Sequence, residues 1–237
     1  MSQPTRDERY RQLQSELLSL GSIVEELLIG AVDLLKQTSL DSLERLSEET
    51  RQVHKKRLAI EMGCLSLIAG RRPREEELRQ LVAMVEIAAE LEHIADHASR
   101  VARVNYLVAD QQLRRPLASV QRLASKVQSP LNQVLEAFVQ RDLALIQRAL
   151  FESQEVNALY GQAYEELLEV MKSKPRIANQ AIYLSRAAYN LKRAAERVAG
   201  MCDWVSYAIT GTMGALNPVQ GRAIPETELA HDESMIG

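Results

Sequence analysis

The segment YRQLQSELLSLGSIVEELLIGAVDL, residues 10–34, decides the fold. Its apolar residues Tyr10, Leu13, Leu17, Leu20, Val24, Leu27, Ala31 and Leu34 alternate steps of three and four without a break. A helix with that seam along one side packs lengthwise against neighbouring helices in a bundle. Composition agrees: Leu, Ala, Glu, Arg, Gln and Ser dominate, and most of them favour helices. Aromatic residues are only 4% of the chain, which argues against a β-sandwich or barrel. The expected fold class is all-α.

Working outward, the seam breaks at Thr38-Ser39-Leu40-Asp41, where Ser39 or Asp41 can cap a second helix. That helix is expected to run to Ala69 and to close at Gly70. Pro73 can open a third helix, with Glu75, Glu76 and Glu77 beside its positive end, and the helix continues to about Tyr106. The pattern then starts again. After Asp110 and Pro116, a fourth helix carries Leu117, Val120, Leu123, Val127, Leu131, Val134, Leu135 and Phe138. Asp142 caps a fifth helix ending near Met171, and a turn at Lys172–Pro175 leads into a sixth, from about Pro175 to Thr210. The stretch from Glu90 to His97 lies one hundred positions before Asn190 to Arg197, and Arg141-Asp142-Leu143 echoes the head of the second helix. These signals predict two tandem three-helix bundles, residues 7–107 and 113–211, produced by internal duplication. Residues 212–237 lack periodicity and predict a disordered tail.

Charge and cysteine usage narrow the function classes. Across 237 residues, 29 basic and 32 acidic side chains give a net charge of −3, so no global basic field is present to attract nucleic acid. Cys64 and Cys202 lie far apart in helical runs, which is neither a disulfide framework nor a paired Cys metal motif. A reduced, cytoplasmic compartment fits. The first residues are too polar for a signal peptide, and no run of about 18 apolar residues occurs, so membrane contact is expected only through partners.

Chemistry is sparse. On the third helix the apolar arc of Leu81, Met84, Ala88, Leu91 and Ala95 also contains Glu92, with Asp96 one turn on toward its edge. Carboxylates facing a core must pair with Arg or Lys, take up a proton, or share a cation. Glu86, Glu90, His93, His97 and Arg100 fall on the opposite side and predict a wetted face. Glu90-x-x-His93 is half of a di-iron signature, but the second copy, Glu228-x-x-His231, sits in the tail. On the sixth helix Lys192 and Glu196 hold the places of Glu92 and Asp96, and a lysine there neutralises the carboxylate without an ion. No nucleophile elbow, phosphate loop or dinucleotide fingerprint occurs, so no catalytic residues are predicted. Arg71, Arg72 and Arg74 at one turn, and Arg114 and Arg115 between the bundles, either dock an acidic surface or keep loops solvated.

At these residues the chain resembles the PhoU family of phosphate-signalling proteins. The resemblance runs through Ile60-Glu61-Met62-Gly63-Cys64-Leu65-Ser66-Leu67-Ile68-Ala69, Arg72-Pro73, and Glu90-Leu91-Glu92-His93-Ile94-Ala95-Asp96-His97-Ala98. In the second half it covers Glu155 to Tyr160, Leu167 to Met171 and Cys202 to Tyr207. It implies a non-enzymatic, cytoplasmic negative regulator, often a homodimer. Such a regulator links a phosphate ABC transporter, through its ATPase subunit, to a phosphate-sensing histidine kinase. Some members hold iron or zinc clusters through acidic motifs on two helices of each bundle. Here Thr50 and His54 stand at the family's positions on the helix facing Glu92 and Asp96, while Ser153, Asn157, Lys192 and Glu196 stand in the second bundle. The resemblance therefore leaves at most one Zn or Fe ion, on His54, Glu92 and Asp96, and a second site that binds nothing. No cofactor is required. Two alternatives remain open from sequence: a metal-binding bundle with a storage or redox role, and a paralogue serving another transporter.

Overall fold

The computed structural model describes residues 5–35, 40–70, 73–104 and 114–214. Among them are six long helices and no strand: α1 (Arg6–Leu34), α2 (Leu40–Gly70), α3 (Glu75–Ala102), α4 (Arg114–Gln140), α5 (Leu143–Ser173) and α6 (Ala178–Thr210). The opening seam is the buried side of α1, from Leu13 to Leu34, with Tyr10 half-buried at its head. A capping box starts that helix: the Thr5 hydroxyl accepts the Glu8 amide at 3.3 Å, and the Glu8 carboxylate accepts the Thr5 amide at 2.7 Å.

The junctions follow from single residues. Asp142 caps α5 as expected, its carboxylate accepting the Ala144 amide at 2.8 Å. Just before it, Arg141 takes the left-handed conformation at φ 57°, and the Asp142 amide returns to the Ala137 carbonyl at 3.2 Å, which closes α4. Glycine usually fills that position; here the Arg141 guanidinium crosses to Glu76 in the first turn of α3. Gly211, at φ 80°, ends α6. Two expected boundaries move. α3 stops at Ala102, with Tyr106 outside the described residues. α6 begins at Ala178 because Pro175–Ile177 forms a short 3-10 turn first. Ser39, Arg71, Arg72 and the expected tail from 215 onward also lie outside the described residues, as do the side chains of Arg114 and Arg115.

The duplication can be read in the buried positions. Leu17, Val24 and Val53 recur as Val120, Val127 and Val156, a spacing of 103, while Leu91, Ile94 and Ala98 recur as Leu191, Ala194 and Val198, a spacing of 100. Within each half the three helices pack on one another, and the halves are joined where α3 lies along α6 and α1 along α4. The α3–α6 contact is antiparallel and pseudo-two-fold. At one end the His97 ring sits on Asn190; at the other the equivalent Arg197 sits on Glu90.

That joint corrects the expected wetted face of α3 at His97 and Glu90, while His93 and Arg100 are exposed as expected. His97 is only 8% exposed and Glu90 is half-buried, because α6 covers the side of α3 that faces away from its own bundle. A helix in the middle of a duplicated molecule packs on two sides, and its apolar arc reports only one of them. Asp96 is corrected in the opposite sense: it is exposed, while Glu92 is half-buried.

Candidate functional site

The residues singled out by spacing meet between α2 and α3. His54 Nδ1 lies 2.5 Å from Glu92 Oε1, and Arg57 Nε, one turn further along α2, lies 3.2 Å from Glu92 Oε2. Arg57 also reaches Glu61 of its own helix, Nη1 to Oε2 at 2.7 Å. Above this chain of charges a cavity of about 480 Å³ is lined by Thr50, Arg51, His54, Lys55, Glu92 and Asp96. The Thr50 hydroxyl is turned back onto its helix, donating to the Leu46 carbonyl at 2.8 Å. Of Glu92 and Asp96, then, the first meets His54 and Arg57 of the neighbouring helix and the second is exposed.

Such a groove does not suit a metal cluster. Both oxygens of Glu92 are engaged, one ring nitrogen of His54 is spent on the same carboxylate, and Arg51 and Lys55 add positive charge to the lining. A cation bound there would have to displace a guanidinium whose own charge already neutralises the acid. Among the described residues, no group of three or more His, Cys, Asp or Glu side chains is placed to hold a metal ion. The residues present thus do not fit the iron or zinc that the resemblance implies: Glu92 is paired with His54 and Arg57, and Asp96 lines the groove exposed.

The second half closes the same place differently. Ser153 is buried, its hydroxyl donating to the Ala149 carbonyl at 2.8 Å, and Asn157 is exposed. Lys192 Nζ lies 3.3 Å from Glu196 Oε1, Arg193 pairs with the other oxygen, and the ammonium also stands 5.5 Å from the centre of the Tyr160 ring. Tyr160 occupies the α5 position that corresponds to Arg57 on α2. Each half therefore carries an internal cation where the resemblance would put metal: a guanidinium in the first, an ammonium in the second. Spacing on α3 and α6 alone could show Lys192 but not Arg57 or Tyr160, whose roles depend on which residues of α2 and α5 face across.

Neither cysteine offers chemistry. Both are buried and free, and burial pushes the Cys64 thiol up to about 12 and the Cys202 thiol upward as well, so neither is a thiolate at neutral pH. No helix among the described residues is long and apolar enough to cross a membrane.

Comparison with known proteins matches the duplicated architecture. The PhoU domain family model matches twice, at residues 17–104 and 120–205. A phosphate-specific transport system accessory protein PhoU from Edwardsiella tarda is 26% identical over 199 residues, covering 84% of this chain and 82% of that one. A PhoU homolog from Clostridium acetobutylicum is 26% identical, over 87% of this chain and 94% of its own. Among solved structures, PhoU from Pseudomonas aeruginosa superposes with a TM-score of 0.82 at 25% identity, covering 88% of this chain and all of that one. PhoU from Streptococcus pneumoniae shares the fold, at a TM-score of 0.80 and 22% identity. With both matched segments spanning most of its six helices, the chain belongs to the PhoU family.

Proposed function

We propose that this chain is a non-enzymatic accessory regulator of phosphate transport. In this reading it links the ATPase subunit of a phosphate ABC transporter to a phosphate-sensing histidine kinase and keeps uptake and the starvation response low when phosphate is plentiful. The observation that carries the reading is the double PhoU match along relatives named as accessory proteins of phosphate-specific transport. The side chains support a role by contact rather than by chemistry: the polar groove is closed by its own ion pairs, and the thiols are buried. An adaptor of this kind acts by binding one conformation of its partner better than another, which shifts the partner's populations.

Loss of the chain tests the reading in its host. Deletion is expected to switch the phosphate-starvation response on in phosphate-replete medium, read by a reporter of that response, and a plasmid copy is expected to silence it again. A response that stays off in the deletion strain, with normal phosphate uptake, would contradict the proposal.

A further inference from the structure

The molecule is poor in aromatic residues, with seven Tyr, two Phe and one Trp in 237 residues, yet three of the tyrosines gather at one place. Tyr160 and Tyr164 of α5 stack with ring centres 6.1 Å apart, and Tyr160 meets Tyr189 of α6 edge-on at 6.5 Å. Tyr164 is 40% exposed and Tyr189 is 49% exposed; Ile182, two turns before Tyr189 on α6, is 46% exposed. Exposed rings that already support one another lose little freedom when a partner covers them, and tyrosine is enriched at the energetic centres of protein interfaces.

The duplication shows that the fold does not need this cluster. The corresponding residues of the first half are Arg57 for Tyr160, Glu61 for Tyr164 and Ala89 for Tyr189, and there Arg57 pairs with both Glu61 and Glu92. The same scaffold position is thus an internal ion pair in one half and an exposed aromatic patch in the other. Charge beside the patch is mainly basic on α6, while Glu165 follows Tyr164 on α5. Lys192 and Arg193 share the single carboxylate of Glu196, and Arg186, exposed one turn before Asn190, adds a third cation.

We propose that the Tyr160–Tyr164–Tyr189 patch on the second bundle is the surface on which this chain docks a partner protein, and that the partner presents apolar side chains within an acidic rim. The inference rests on the regulator reading and specifies it: the second bundle, not the first, carries this contact. Rings and Ile182 supply buried area, while Arg186, Lys192 and Arg193 orient the acidic rim and make association salt-dependent.

The test uses the purified full chain with two probes, the ATPase subunit of the host's phosphate transporter and the cytoplasmic region of its phosphate-sensing kinase. Tyr164→Ala with Tyr189→Ala is expected to weaken binding to at least one probe tenfold or more, with unchanged helicity. Arg186→Glu is expected to weaken the same complex and flatten its salt dependence. Met62→Ala with Leu65→Ala, which trims a comparably exposed apolar stripe on α2, is expected to change little. If wild type binds a probe and the tyrosine pair leaves that affinity unchanged, the patch is refuted while the regulator reading survives. If wild type binds neither probe, the regulator reading fails and the docking surface with it.

Discussion

Replacing Leu91 with alanine is expected to lower the unfolding free energy by about 3 kcal/mol. Leu91 is fully buried on α3, and α3 packs against both helices of its own bundle and against α6 of the other. Truncation there removes apolar contact from the buried core around α3, and close-packed surroundings relax only partly into the space left. Leu191, its equivalent on α6, is 1% exposed, and Leu191→Ala is expected to cost about the same. Chemical denaturation measures both. A loss below about 1 kcal/mol for either would mean that the helix is not central to the core. Equal losses also test the duplication energetically, since they ask whether equivalent positions carry equivalent load.

Arg197→Ala is expected to cost about 2 kcal/mol, less than a fully buried pair would, because a third of the arginine remains in water. The substitution strands the Glu90 carboxylate between α3 and α6, 3.5 Å from where the guanidinium was. Burial already pushes the Glu90 carboxyl above the usual carboxylate range, with Arg197 pulling it partly back. Losing Arg197 therefore favours the protonated form further. The sign follows: a carboxyl with a raised folded value gains stability as pH falls through it, so the deficit of Arg197→Ala should shrink on acidification.

The other end of the joint supplies a repair. Glu90→Asn with Arg197→His copies the His97–Asn190 pair at its pseudo-symmetric place, and this double variant is expected to recover most of the loss. If it is as unstable as Arg197→Ala, the two ends are not equivalent. The native His97 end titrates the opposite way. The Asn190 amide group donates to the Arg186 carbonyl at 2.8 Å, so its oxygen accepts from His97 Nδ1–H at 3.0 Å. Burial, with Arg100, Arg193 and Arg197 nearby, holds the imidazole below its ordinary value despite that bond. A depressed histidine is neutral in the fold, so its contribution to stability falls as pH drops below about 6.5. His97→Gln is expected to remove that decline.

How much of this the sequence carried depends on which contacts each pattern reports. The Tyr10–Leu34 seam was sufficient for the bundle because a/d spacing encodes lengthwise packing directly, and Asp142 marked a helix start because its side chain serves the adjacent backbone. The repeat of Glu90–His97 as Asn190–Arg197 exposed the duplication. The joint between the halves did not show. Glu90 and His97 look like surface residues on a helical projection, and only the packing of α6 on the far side of α3 buries them. At the groove, Glu92 could be recognised as a carboxylate in need of a partner. That the partner is Arg57 together with His54 depends on the relative rotation of α2 and α3, which no single-helix pattern contains. Tyr160 and Tyr164 are one turn apart in sequence, but Tyr189 joins them only through the α5–α6 contact.

Under the proposed function, the chain works by binding the phosphate transport machinery. Affinity purification of the tagged protein from its own host, grown in high and in low phosphate, tests it most directly. The transporter's ATPase subunit or the phosphate-sensing kinase is expected to be recovered, in amounts that change with phosphate. Recovery of neither partner under both conditions, from cells in which the tagged chain is folded and abundant, would contradict it.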